Sequence, residues 1–432
     1  MGIESWGGSK SEALPEDAVE KEPEEIAFPN GDAAVAAYLE KYANQPERAE
    51  LIRKVFQEFL KEELDNTAIF KSESGIEMPY TSIRVGKLAR RIYKEILGKE
   101  LLNETEKEGP LKKQKFVFGT SPITEDGDQF GTVEFSMHDT VRKLRTILPA
   151  LEKGESSEDE EIFTIGMPTN VLGRIPPELV EKIKASPSDE LGKVYAELIA
   201  QKIKEGGDEL KIVELLGMSL GASLAVRIGE SLIDRRVVTQ DSDSEEDDNL
   251  PRLHIRAEVP VAMGPSKIKT AQIYLGFVTD GILEMQRPDF KRIGAGKAKF
   301  VEKTRALLAE RGIDRQMSPE QKAAKQSVIR SIVWALKDGL TPRPETKVTE
   351  VYGLNDATSV TPSMRRAAKK QREGEAKGSL GEVIWKPRKG DSAETDNRRK
   401  FGVKMLHMNP WFRSNELKRL NALAEELQLI SK

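Results

Sequence analysis

The spacing of apolar residues changes along the chain. From Asp32 to Leu64 they recur at helical intervals, first Ala34, Val35, Tyr38 and Leu39, then Ile52, Val55, Phe56, Phe59 and Leu60. Ser82 to Leu97 repeats that pattern with Ile83, Val85, Leu88, Ile92 and Ile96 on one face. After Gly109-Pro110 short runs of strand character take over: Lys115–Gly119, Gly131–Phe135 and Glu161–Gly166. A helix is predicted from Asp139 to Leu151, and a long one from Pro177 to about Glu205. Next comes Ile212-Val-Glu-Leu-Leu216, mostly apolar, as a strand buried on both faces of a parallel sheet would be. Leu253–Val261 reads as a further strand, and Ser266 to about Gly339 as helical and strand-free, with Val328, Ile332, Ala335 and Leu336 on one face. Lys347–Gly353 and Phe401–His407 are the last strand patterns, before an amphipathic helix carrying Leu417, Leu420, Leu423, Leu427 and Ile430.

Strands alternating with helices predict an α/β fold with a mostly parallel central sheet flanked by helices. The expected organisation is an acidic disordered leader over 1–30, an N-terminal helical region over 31–109, and a core whose first part is 110–265. A helical cap over 266–340 interrupts the alternation, and 341–432 completes the core, with a basic excursion over 361–400. The leader carries eight acidic side chains against two lysines, and little that could build a core. Between Thr361 and Lys404 there are thirteen Lys or Arg against six carboxylates, with Arg365, Arg366, Lys369, Lys370 and Arg372 clustered. Over 361–400 Trp385 is the one aromatic residue, so stacking on single-stranded nucleic acid is poorly supported and a solvated surface is expected.

Composition narrows the chemistry. The 432 residues include no cysteine, which excludes disulfides, thiolate catalysis and cysteine-ligated metals. Three histidines (His138, His254 and His407) argue against a multi-histidine metal site, and neither a metal nor a cofactor is called for. The net charge of −4 gives no general reason to bind nucleic acid or membrane, and no apolar run approaches a membrane span. The six-carboxylate run Asp241–Asp248 lacks the spacing of a calcium loop and reads as solvated. With no signal-peptide pattern at its start, the chain is expected to be cytoplasmic; its oligomeric state is left open.

The stretch that carries chemistry is Gly217-Met-Ser219-Leu-Gly221, a Gly-x-Ser-x-Gly turn between a buried strand and a helix. Small residues two positions either side of the serine let the backbone crowd together and thrust its hydroxyl out. The helix that follows aims its first N–H groups at the same point, where negative charge would develop.

From about residue 115 to the end the chain resembles an α/β-hydrolase-fold protein. The elbow at Ser219, the turn Gly353-Leu-Asn-Asp356 followed by Pro362, and His407 after the final strand carry the likeness, in the order Ser, Asp, His. The resemblance implies Ser219 as nucleophile, His407 as general base and Asp356 as the acid that orients it, acting on a small-molecule acyl substrate. It also implies an oxyanion hole built from the N–H of Leu220 and a second donor. That donor is placed after Ile162–Ile165, with Met167 preferred because Pro168 has no N–H. His254, within a strand, is expected to be packed, and His138, closing an early strand, is a weaker candidate base. Two other readings stay open: a non-catalytic hydrolase-like binding protein, and a scaffold that holds nucleic acid through 361–404.

Overall fold

The computed structural model describes residues 45–101, 109–118, 133–155, 158–169, 173–218, 220–240, 249–258, 310, 312, 317–335, 342–343, 345–353, 381–384, 398–402 and 415–431. Helix α1 (Pro46–Asp65) opens this part of the chain, followed by the strands β1 (Ala68–Lys71) and β2 (Glu77–Arg84). Helix α2 (Val85–Arg91) continues through a wider π turn at Ile92–Ile96. Then come β3 (Leu111–Phe118), α3 (Val133–Glu152), β4 (Asp159–Ile165), a 3-10 turn at Pro177–Leu179, α4 (Val180–Ala185) and α5 (Pro187–Gly206). The second half holds β5 (Ile212–Met218), α6 (Leu220–Asp234), β6 (Arg252–Glu258), α7 (Pro319–Ala335), β7 (Val348–Gly353), β8 (Gly381–Ile384), β9 (Arg398–Gly402) and α8 (Asn415–Ser431).

The strands form one nine-stranded sheet in the order β1-β2-β4-β3-β5-β6-β7-β9-β8. The six from β4 to β9 in that order are parallel; β1, β2 and β8 run antiparallel to their neighbours. β5 is therefore the central strand, and the carboxyl ends of β4, β3, β5, β6, β7 and β9 share one edge. Such an edge is where open α/β sheets place their ligands.

Each face of the sheet has its own core. On one, Phe116, Phe163, Val213, Leu215, Leu253 and Ile255 pack with α5, α6 and α7. On the other, Val117, Ile162 and Leu216 meet α1, α2, α3 and α8. The terminal helices close this second layer together. Ile52, Val55 and Phe59 of α1 and Leu423, Leu427 and Ile430 of α8 are buried stripes at helical spacing. Arg48 of α1 donates to Gln428 Oε1 of α8 at 3.0 Å.

Several expectations are revised. Residues 68–84 are strands that join the main sheet, where a helix was expected from Ser82. The predicted strand at Gly131–Phe135 gives way to α3, whose described part begins at Val133, so His138 lies in a helix. The long helix from Pro177 breaks at Ser186 (φ −146°, ψ 74°), because a residue before proline is pushed out of helical geometry. Helix α7 is seated in the core: Val328 and Ile332 are buried and Gln321 donates to the Ile175 carbonyl at 3.1 Å. The last predicted strand lies earlier than expected, at Arg398–Gly402, and β8 and β9 draw part of the basic excursion into the sheet. Of the expected leader, cap and acidic run, residues 1–30, most of 266–340 and 241–248 lie outside the described residues. Among the described residues no helix is long and apolar enough to cross a membrane.

Candidate active site

β5 ends at Met218 and α6 begins at Leu220, so one residue of the sequence, Ser219, separates the strand from the helix. Ser219 itself lies outside the described residues, but the backbone on either side defines how tight the turn is. A Cβ at Gly217 would strike the Gly221 carbonyl and stand 2.7 Å from the Ala222 nitrogen. Only glycine fits that approach. The helix beyond is drawn close to the sheet in the same way, since a Cβ at Gly229 would meet Ile255 of β6. Ala222, Leu224, Ala225, Val226 and Ile228 of α6 are fully or almost fully buried. As the first residue of α6, Leu220 carries an amide with no partner inside the helix, as an oxyanion donor must.

The other two members of the predicted triad, Asp356 and His407, also lie outside the described residues. The strands that lead to them are described, and both end at the edge where β5 ends. Asp356 is three residues beyond the end of β7 at Gly353, and His407 five beyond the end of β9 at Gly402. With strands about 4.8 Å apart, β7 and β9 stand roughly 10 and 14 Å from β5. Extended segments of three and five residues span at most roughly 10 and 17 Å, which sets the upper limit on how far either residue can lie from its strand end.

Met167 is buried just past β4, and β4 is separated from β5 by β3. The preceding residue, Gly166, donates its N–H to the Pro79 carbonyl of β2 at 2.8 Å, on the side away from β5, and accepts from the Tyr195 hydroxyl at 3.1 Å. The strand beside the elbow is β3, whose last residue, Phe118, is paired with Gly217. His254 is exposed on β6 and is not a packed core histidine. Asp139, beside His138, is buried in α3 and engaged by the ammonium of Lys115.

Beneath α3 runs a chain of alternating charges that composition does not reveal. Lys143 meets Glu160 at 3.0 Å, Glu160 meets Lys113 at 3.4 Å, and Lys113 meets Glu214 at 2.5 Å. Glu214 meets Lys115 at 3.3 Å, Lys115 meets Asp139, and Asp139 meets Arg142 at 3.4 Å. It joins β4, β3 and β5 to one helix and ends in solvent at both sides. Burial alone would push the Glu214 carboxyl up, but Lys115 and Lys113 outweigh it and hold it at about 2. Glu214 lies on β5, on the strand that delivers Ser219, so these ion pairs fix the strand under the elbow. Each charge reads as an ordinary polar residue until the sheet register sets it against its partner.

No family model matches the chain, and neither does any curated protein. Among solved structures, a thermophilic esterase from Thermogutta terrifontis is 10% identical over 85% of this chain and 99% of its own, with a TM-score of 0.33. A peroxisomal alpha-beta-hydrolase from Saccharomyces cerevisiae is 9% identical over 84% of both chains, with a TM-score of 0.35. A soluble variant of monoglyceride lipase from Saccharomyces cerevisiae is 10% identical over 85% of this chain and 95% of its own, at 0.31. These scores are low, and the fold assignment rests on the sheet and its elbow. The chain has a fold of the α/β-hydrolase type: a mostly parallel sheet between helical layers, with a helix starting two residues after the end of its central strand.

Proposed function

We propose that the chain is a serine hydrolase that cleaves a small-molecule ester, thioester or amide through an acyl-enzyme on Ser219. The observation that carries this reading is the elbow, where Gly217 is pressed against Gly221 and Ala222 with one serine between strand and helix. A buried turn without chemistry has no need of such crowding, whereas a nucleophile does, because it must stand clear of the backbone. The Ser219 hydroxyl attacks the acyl carbonyl and passes its proton to His407, which returns it to the leaving group. Asp356 holds the imidazole in the right tautomer and stabilises its charged form. Water then attacks the acyl-enzyme, with His407 again taking the proton, and Ser219 is released.

The oxyanion that forms in each step is met by the N–H of Leu220. A second donor must lie within hydrogen-bond reach of the same oxygen. Phe118, the last residue of β3, is paired with Gly217, so the segment that follows β3 is the better placed source; Met167, past β4 and one strand further away, is the more distant candidate. Turnover of a nitrophenyl ester by single variants tests the reading. Ser219→Ala and His407→Ala should each cost on the order of 10⁴-fold or more, and Asp356→Asn several hundred-fold to roughly 10⁴-fold. Because the three act as a unit, two changes together should add little to one. Activity that survives Ser219→Ala would overturn the assignment.

A further inference from the structure

The inner strands of a parallel sheet are ordinarily covered on both faces. β6 is packed on one, where Leu253, Ile255 and Ala257 are buried. Its other side is open. Arg252 and His254 are exposed, and Arg256 is half-buried with an interaction of its own within the protein. On that side His254 is level with Glu214 of β5, which Lys113 and Lys115 already hold. Arg256 is level with Thr349 of β7, and Thr349 with the position of Arg398 on β9. In the next row Glu258, Val351, Lys400 and Glu382 are level, so the excess of positive charge lies toward the amino end of β6. A row of cations two residues apart on an open strand fits an anionic chain with the same repeat.

The sequence holds such a segment. Residues 16–25 carry six carboxylates and one lysine, and Glu20, Glu22 and Glu24 stand at every second position. In an extended chain such positions share one side about 6.6 Å apart, the spacing of Arg252, His254 and Arg256 along β6. Pro23 favours that form, because the residue before a proline is held extended. Residues 25–45 tie the segment to α1, which packs on the same side of the sheet. A coil of that length spans roughly 25 Å. β2, whose Thr81 hydroxyl donates to the Glu63 carbonyl of α1, stands four strand spacings, or about 19 Å, from β6. The tether gives the segment a high effective concentration at β6, an advantage denied to a separate polyanion approaching a chain of net charge −4.

We propose that the open side of β6 is the docking surface for the chain's own acidic segment 16–25, with Glu20, Glu22 and Glu24 set against Arg252, His254 and Arg256. The contact is electrostatic and is released by salt. It shields the basic row from other anions, and it holds whether or not Ser219 is a nucleophile.

Because the chain has no cysteine, a cross-link between two introduced ones is unambiguous. Ala18→Cys, in step with the three glutamates, is combined in the full chain with His254→Cys. The control combines it with Lys204→Cys, exposed on α5 in the layer over the opposite face. A short bismaleimide should join 18 to 254 within one chain roughly fivefold faster than 18 to 204. That excess should vanish when NaCl is raised from about 0.05 to about 0.5 M. It should vanish too when Glu20, Glu22 and Glu24 are all replaced by Gln, and when Arg252→Gln and Arg256→Gln are combined. Should the arginine variant not fold, the glutamate variant decides, since its changes precede α1. Equal rates at 254 and 204 overturn the proposal, as does an excess that survives the loss of the three glutamates. Cross-links between two chains instead of within one overturn it as well. So does equally tight binding of a thymidine oligonucleotide to the unmodified chain and to the glutamate variant, which would give the face to a separate polyanion.

Discussion

A methyl group at position 217 has no room. It would stand 2.7 Å from the Ala222 nitrogen, about 0.7 Å short of the 3.4 Å at which ordinary contact begins, and it would strike the Gly221 carbonyl as well. Both groups are backbone, so no side-chain rotation relieves the overlap. The strand before Ser219 and the helix after it must part, and the serine moves with them. Overpacking of this kind costs about 1–3 kcal/mol of stability. A misplacement approaching 1 Å at the reacting atom costs on the order of 10- to 100-fold in rate. Gly217→Ala should therefore lower the urea midpoint modestly and slow labelling by a fluorophosphonate probe far more than the stability loss explains. The two readouts are taken on the same preparation, well below the unfolding transition. Labelling at the original rate with an unchanged midpoint would refute the view that Gly217 is there to let the elbow close.

The charge chain, the cap and the basic segment give further expectations. Lys115→Met removes the buried cation shared by Asp139 and Glu214, which keep only Arg142 and Lys113, and should cost up to about 3 kcal/mol in urea unfolding. The Glu214 carboxyl is held low, so it stabilises the fold above the ordinary value of 4.5, by roughly 3 kcal/mol, and that contribution is lost as pH falls toward 2. In Lys115→Met the acid transition, followed by circular dichroism, should begin at higher pH; an unmoved transition would contradict the pairing. Replacing 266–318 by a Gly/Ser linker while keeping α7 should leave a folded core with altered acyl-chain preference, whereas removing α7 as well should unfold it, because Val328 and Ile332 belong to the core. An untouched substrate profile would show that 266–318 does not cover the pocket. Neutralising Arg365, Arg366, Lys369 and Lys370 together should change stability by less than about 1 kcal/mol and leave neutral-ester hydrolysis intact. Collapse of that activity would contradict the solvated-surface reading.

What could be read from the sequence follows from how locally each feature is determined. The strand at Ile212–Met218 announces itself because it is apolar on both faces and ends in a turn only glycine and serine can make. β7 is equally plain, within one residue of its predicted start. By contrast, Ile83, Val85, Leu88 and Ile92 mimic one helical face while straddling the boundary between β2 and α2, so the strand half was hidden by the helix half. Val133 and Phe135 are good strand formers that the sheet does not use; they stand at the start of α3. His254 stands on a strand whose neighbours are buried, and only the sheet's alternation reveals that its own side is open. Sequence order places the Met167 loop before the long helix and β5, and only the spatial order shows that β3 stands between β4 and β5. Long-range pairing of this sort, like that of Lys113 and Lys115 with carboxylates on two other strands, is decided by topology and has no local signature.

The central claim is that Ser219 is an activated nucleophile. Incubating the intact protein with a fluorophosphonate and mapping the adduct by peptide mass spectrometry tests it most directly, because an ordinary serine hydroxyl does not react at a useful rate. A single adduct on Ser219, lost on prior unfolding and absent in His407→Ala, is the predicted result. Modification of another residue, or of none while the protein remains folded, would contradict it.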